Sequence, residues 1–240
     1  MEKWTKEGYT AFRAELYAQA DEGYRRFHAS LLRSALPVIG IRAPLLRKMA
    51  QTIAKEDGEG FLRLCGRESY EERLLYGLVA AALPLPYADF LPYCDAYVEH
   101  WVENWAHCDG FCSSLKKRLK GCEDDFFDHI ERYLRSQNPW AQRVGLVVLL
   151  THYLKEDYLE RVLWRMDSVH AEEYYVRMAQ AWLLATAWSK DRAVCLAYLD
   201  GHHLDDWTFR KFVQKARESY RVSPEDKAYL RSLIEQKKEK

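Results

Sequence analysis

Residues 138–153 read NPWAQRVGLVVLLTHY, and their reading decides the fold. Asn138 before Pro139 is a helix start: a capping side chain, then a proline at the first helical position, where its missing N–H costs nothing. An apolar run with helical spacing follows as far as Tyr153. The pattern returns at residues 172–188, EEYYVRMAQAWLLATAW, and at 205–220, DDWTFRKFVQKARESY. It has a forerunner at 103–119, ENWAHCDGFCSSLKKRL. Asp109, Arg143, Arg177 and Lys211 hold the same place in each, since 143−109, 177−143 and 211−177 are all 34. A fixed period in this range is the mark of stacked helical hairpins, in which each unit buries its apolar face against its neighbours.

The expected fold is therefore all-α: an α-α superhelix, or solenoid, of HEAT-like repeats with a concave groove. Equivalent positions line up along one side of such an array, giving one carboxylate followed by three cations. A row of cations at regular rise suits a polyanion backbone, and an acid at its end suits chemistry on something that backbone carries.

The rest of the chain agrees with helices. Apolar content of 48%, charged content of 30%, seven prolines and eleven glycines fit a folded protein and leave little room for an all-β design with many turns. No convincing strand appears. Helical segments are expected near Thr5 to Leu36, Pro44 to Glu56, Gly58 to Cys65 and Ser69 to Leu83. Ser69-Tyr70-Glu71-Glu72 reads as an N-cap with acids in the first turn. Pro84-Leu85-Pro86 ends that segment, and the next begins around Tyr87. Asp205-Asp206 and Ser223-Pro224-Glu225-Asp226 open two more, and the Lys-rich end, Gln236 to Lys240, is expected to fray. A single domain over residues 1–240 follows, with 1–85 as atypical N-terminal repeats, 86–222 as regular repeats, and 223–240 as a capping helix and tail.

Composition also limits function. No apolar run approaches the roughly 20 residues needed to span a bilayer, and Met1 to Thr10 carries no signal-peptide core, so a cytoplasmic monomer is expected. Thirty-six Lys and Arg balance thirty-six Asp and Glu, which argues against broad polyanion binding and for a local cationic site balanced by outer-face acids such as Glu123, Asp124, Asp125, Asp128 and Glu131. The six cysteines lack disulfide-scaffold spacing and read as reduced, mostly buried thiols. His107, Cys108, Cys112 and Cys122 are not completed by a second tight pair, so no metal site is expected. With no Walker loop, dinucleotide glycine pattern, nucleophile elbow or His-Glu-x-x-His motif, no cofactor is expected either.

Trp105 and Asp109, four apart, share a helix face, as do Trp140 and Arg143, three apart. Tyr174, Tyr175, Arg177 and Trp182 crowd one repeat, and Trp207, Arg210 and Lys211 the next. Rings interleaved with cations suit a cation-binding cleft or a nucleic-acid surface. The plainer expectation is that most of the eight tryptophans fill the core, and that Asp109 is a capping or solvated acid. Lys116, Lys117, Arg118 and Lys120 wrap around their helix and are expected on a solvated outer face.

From Ile39 to Arg221 the chain resembles the AlkD-type DNA alkylation repair glycosylases, an all-helical family of HEAT-like repeats. The marks are Gly40-Ile41-Arg42-Ala43-Pro44-Leu45-Leu46-Arg47; Glu72 with Leu75; Asn104-Trp105 with Asp109; and Asn138 to Arg143. Tyr175-Val176-Arg177 through Ala181-Trp182-Leu183-Leu184 and Phe209-Arg210-Lys211 through Gln214-Lys215 complete them. It departs from the family pattern after Trp182, where Leu-Leu-Ala-Thr-Ala stands in place of an arginine and an acid. The resemblance implies hydrolysis of the N-glycosidic bond of cationic N3- or N7-alkylated purines in duplex DNA, without flipping the base into a pocket. It implies Trp105, Asp109 and Trp182 as catalytic residues and Arg143 as a phosphate contact. Arg177, Arg210, Lys211 and Trp140 are expected as further DNA contacts. The alternative is a non-catalytic helical-repeat module that binds DNA or a protein partner.

Overall fold

The computed structural model describes residues 4–32 and 34–236. These form thirteen α-helices and one short 3₁₀ turn, with no strand among the described residues. No described helix is long and apolar enough to cross a membrane. Residues 237–240, most of the Lys-rich end, lie outside the described residues.

The chain divides into two compact units, Met1–Glu123 and Asp124–Lys240. In the first, α1 (Lys6–Ala18) and α2 (Glu22–Leu32) replace the single segment expected from Thr5 to Leu36. No proline marks that break, and Gly23 follows it within α2. Asp21 makes the restart, its Oδ1 accepting from the Tyr24 N–H at 2.9 Å. α3 (Ala43–Leu64) keeps the break expected between Glu56 and Gly58: Asp57 has φ −158° and ψ 68°, and its carboxylate caps the second half through the Gly60 N–H at 3.0 Å. α4 (Tyr70–Ala82) lies between α3 on one side and α5 (Tyr87–His100) and α6 (Trp105–Ser114) on the other. Gly77 allows the close approach of α4 to α5, because a Cβ there would sit 2.4 Å from the Tyr97 ring.

The acids opening α4 do more than favour the helix dipole. Ser69 caps as expected, its Oγ accepting from the Glu72 N–H at 3.2 Å. Glu71 and Glu72, however, are both fully buried. Glu71 accepts the N–H groups of Ile39, Gly40 and Ile41 at 2.8, 2.8 and 3.1 Å, and so fixes the strap that enters α3. Gly40 is needed in that strap: its φ is +105°, and a Cβ would meet the Asp21 carbonyl at 2.7 Å. Glu72 accepts from the Tyr9 hydroxyl at 2.8 Å and pairs with Arg13 Nε at 2.9 Å, which ties α1 to the unit.

The second unit holds α7 (Glu123–Leu134) onward. α8 (Pro139–His152), α10 (Tyr174–Trp188) and α12 (Asp206–Glu218) form a row, with α10 against both of the others. α9 (Leu159–Asp167) and α11 (Arg192–Leu199) pair with each other and against α10, and α13 (Pro224–Gln236) covers α12. α10 is buried from Val176 to Trp188 at most positions because neighbours close on it from several sides. The expected caps form: Asn138 Oδ1 accepts from the Trp140 N–H at 3.0 Å, Asp205 Oδ1 from the Thr208 N–H at 3.1 Å, and Ser223 Oγ from the Asp226 N–H at 3.1 Å.

One expectation about side chains is corrected and another holds. Of the eight tryptophans only Trp101 and Trp188 are buried, so most do not fill the core. Phenylalanine, tyrosine and leucine do that work, with Phe61, Phe90, Phe111 and Tyr97 in the first unit and Phe126, Phe127, Tyr133 and Tyr153 in the second. None of the six cysteines is in a disulfide and four are buried, as expected.

Candidate nucleic-acid interface

The first unit builds a cleft around the start of α6. Asn104 caps the helix, its Oδ1 accepting from the His107 N–H at 2.9 Å. The His107 ring is held at both nitrogens: Nε2 is 2.9 Å from the Tyr70 carbonyl and Nδ1 is 3.2 Å from Asn104 Nδ2. That assigns the proton to Nε2 in the neutral ring, which donates to the carbonyl and accepts from the amide. Burial lowers the His107 pKa to about 4, more than the Tyr70 carbonyl can restore, with Arg73 and His28 adding to the lowering. The ring stacks on Tyr70 at 4.8 Å, and His28 meets the other side of Tyr70 edge-on at 4.8 Å.

This frame fixes the rotation of α6, so Trp105 and Asp109 emerge on one side. Both line a cleft of about 270 Å³ together with His28, Tyr70 and Arg47. The Trp105 indole N–H lies 3.4 Å from the Leu31 carbonyl, which holds the ring against the end of α2. Arg47 Nη2 donates to Ser113 Oγ at 3.0 Å, one turn beyond Asp109. Burial lowers the His28 pKa, against a smaller pull upward from Glu71, so this ring is neutral near pH 7. The cleft thus presents a carboxylate, an aromatic face and a guanidinium.

His28 and Arg47 line this cleft and are side chains that the sequence did not single out. Arg47 stands within the Gly40 to Arg47 stretch but carried no role there. His28 is a lone histidine on a helix that reaches the site only through tertiary packing, so no local signal marks it.

The second unit sets out the other expected residues along α8, α10 and α12. Trp140 and Tyr175 lie 5.1 Å apart, Tyr175 and Tyr174 5.1 Å, and Tyr174 and Trp207 5.6 Å, so the rings form a continuous run. Arg143 is only 4% exposed; its Nη1 donates to the Tyr175 carbonyl at 2.8 Å and its guanidinium lies 5.8 Å from the Tyr175 ring. Arg177 pairs with Asp205, donates to Thr208 Oγ1 at 3.3 Å, and lies 4.5 Å over Trp207. Burial pushes the Asp205 carboxyl up, but hydrogen bonds from Thr208 and Arg177 outweigh it and hold it below its ordinary value. Arg210 pairs with Asp206 at 2.6 Å, and Lys211 donates to Gln214 Oε1 at 2.7 Å while lying 5.6 Å over Trp207. Trp182 stands further along α10 with 36% of its surface exposed. The row of cations is present, but its arginines already hold protein partners.

Lys116, Lys117 and Lys120 are exposed, as expected of a solvated face, and Arg118 is half-buried. Lys116, Lys117 and Arg118 also line a second, open cleft of the first unit, about 630 Å³, together with Arg47 and Lys55. The outer acids of α7 behave as expected, with Asp124, Asp125 and Asp128 exposed and Asp128 paired to Arg165 at 2.8 Å.

The all-α protein thus sets rings and cations along adjacent helices of its second unit and an acid beside an indole in a cleft of its first. The family model for DNA alkylation repair enzymes matches residues 12–216, and the chain belongs to that family. Its role is in the repair of alkylated DNA. No curated protein matches it closely enough to add a relative.

Proposed function

We propose that the protein is a DNA glycosylase that removes cationic N3- or N7-alkylated purines from duplex DNA. The observation carrying this reading is that Trp105 and Asp109 line one cleft in a chain of the alkylation repair family.

Alkylation at N3 or N7 leaves the purine positively charged, which makes it a good leaving group and reduces the barrier that the enzyme must lower. As the bond from C1′ to the purine nitrogen breaks, its electron pair goes to the base, which departs neutral. Positive charge then builds on the sugar. The Asp109 carboxylate stabilises that charge and accepts a proton from the water whose oxygen adds to C1′. The Trp105 face lowers the energy of the same cationic state, and its indole is already oriented by the Leu31 carbonyl. Trp182 contributes a second aromatic face to the bound DNA. Arg143, Arg177, Arg210, Lys211 and Trp140 are DNA contacts in this reading. Held in advance by Tyr175, Asp205, Asp206 and Gln214, the four cations lose less freedom on binding.

The test is base release from duplex DNA containing 7-methylguanine or 3-methyladenine. The wild type is expected to release the base, and Trp105→Ala and Trp182→Ala to release it at least about tenfold more slowly, a loss of some 1.4 kcal/mol of transition-state stabilisation. No release by the wild type, with retained binding to the duplex, would instead support a non-catalytic DNA-binding module.

A further inference from the structure

Arg177 and Arg210 of the cation row already pair with acids, whereas the lysines of the second cleft in the first unit do not. Lys55, Lys116 and Lys117 are exposed, and none of the ion pairs among the described residues uses them. No carboxylate is among the residues that line this cleft. The whole chain carries no net charge, with 36 cationic and 36 anionic side chains, so any polyanion affinity must come from such a local excess.

The cleft has a definite build. Arg47, Gln51 and Lys55 of α3 follow one another at intervals of four, so they form a stripe along one rim. Lys116 and Lys117 stand on the other, and Leu78, Ala81 and Ala82 of α4 make an apolar floor between them. Arg118 shapes the end of the cleft rather than serving a ligand. Its guanidinium donates to the carbonyls of Leu83 and Leu85 and lies 4.8 Å over Phe90. Arg47 and Leu78 also line the cleft of Trp105 and Asp109, so the two adjoin. Asp109 to Lys117 spans roughly 12 Å of helix, the length of a short stretch of nucleic-acid backbone.

We infer that this cationic cleft is the main phosphate grip of the protein, taking the sugar-phosphate backbone of the DNA strand next to the damaged nucleotide. The inference rests on the DNA reading above and assigns it a place. Lys55 and Lys117 hold phosphates from opposite rims, the apolar floor takes the sugars, and Arg47 bridges to the nucleotide at Asp109. The paired cations of α10 and α12 add less, because Asp205 and Asp206 already offset their charge.

The experiment is a salt titration of the full chain binding a fluorescently labelled duplex oligonucleotide, followed by anisotropy. Each phosphate that the protein no longer neutralises lowers the slope of log affinity against log salt by about 0.9. K55Q/K117Q is expected to lose about 1.8 from the wild-type slope, and K55R/K117R to keep it. K155Q/K190Q removes the same charge from exposed sites in the second unit and is expected to leave the slope unchanged. A wild-type slope in K55Q/K117Q, or an equal loss in K155Q/K190Q, overturns the inference. Absence of base release by the wild type overturns the glycosylase reading instead, whatever the slopes show.

Discussion

Asn104 grips His107 twice, accepting its backbone N–H at 2.9 Å and meeting ring Nδ1 at 3.2 Å. One side chain therefore ends the turn, starts α6 and orients the imidazole that reaches the Tyr70 carbonyl. Trp105 and Asp109 take their direction from the same turn. Replacing Asn104 by Ala removes the cap and leaves a buried imidazole nitrogen without its donor. The expected loss is about 2–3 kcal/mol in urea denaturation, with slower base release at permissive temperature. A variant with wild-type stability would show that the cap does not hold the helix.

His107 makes stability depend on pH. Its ring titrates at about 4 in the folded protein, against 6.5 when unperturbed. The unfolded chain therefore binds more protons between these values, and stability rises with pH across the window. The contribution is fully present above pH 6.5 and is lost as the pH falls towards 4. It amounts to about 3 kcal/mol, at 1.36 kcal/mol for each pH unit of the interval. Comparing urea midpoints of the wild type and His107→Gln at pH 7.5 and pH 5 isolates it. The gap between the two proteins should narrow at the lower pH; a constant gap would contradict the neutral buried ring.

Glu71 predicts a severe and specific defect. Its carboxylate serves three N–H groups of the strap before α3, and all of them are buried. Glu71→Ala strands those donors and should cost about 3–5 kcal/mol, as removal of one partner from a buried charged cluster does. Glu71→Gln keeps an acceptor and should cost less. Faster amide exchange at Ile39, Gly40 and Ile41 in Glu71→Gln, with little change at α8 and α10, is the expected signature. A uniform change across the chain would point elsewhere.

Asp167 offers a parallel case in the second unit. It accepts from the Tyr198 hydroxyl at 2.5 Å and from His203 Nδ1 at 2.6 Å. Burial raises its pKa, but the hydrogen bonds from Tyr198 and His203 outweigh this and leave it below its ordinary value. Tyr198→Phe should destabilise the protein by about 1–2 kcal/mol, measured by urea denaturation at pH 7, and leave base release per folded molecule unchanged. A large loss of release would give this cluster a part in the chemistry.

These cases show what was legible in the sequence and what was not. Helix starts at Ser69, Asn138, Asp205 and Ser223 could be read because a cap is a local event within three residues. The break at Asp57 was visible for the same reason. The roles of Glu71 and Glu72 were not, since as first-turn acids they look like any dipole partner, while their ligands lie thirty or more residues away. The split at Asp21 rests on the same kind of local cap, with Tyr24 three residues on, yet the helical pattern on both sides reads as one segment. Lys116 and Lys117 are exposed as their spacing implies, but that they border a cleft with α3 and α4 comes from tertiary packing. The pairing of Trp105 with Asp109 on one face was legible from their spacing alone; the neighbours that make it a cleft, His28 and Arg47, come from α2 and α3 through packing.

The carboxylate of Asp109 is the centre of the proposed chemistry, and one measurement addresses it most directly. Single-turnover release of 7-methylguanine from a duplex is followed for the wild type and Asp109→Asn, with duplex affinity measured alongside. The expected result is a rate at least about a hundredfold lower in Asp109→Asn, the scale on which a single charge-stabilising or proton-accepting group acts, with affinity unchanged or slightly raised. Release at the wild-type rate by Asp109→Asn would contradict the role given to this residue.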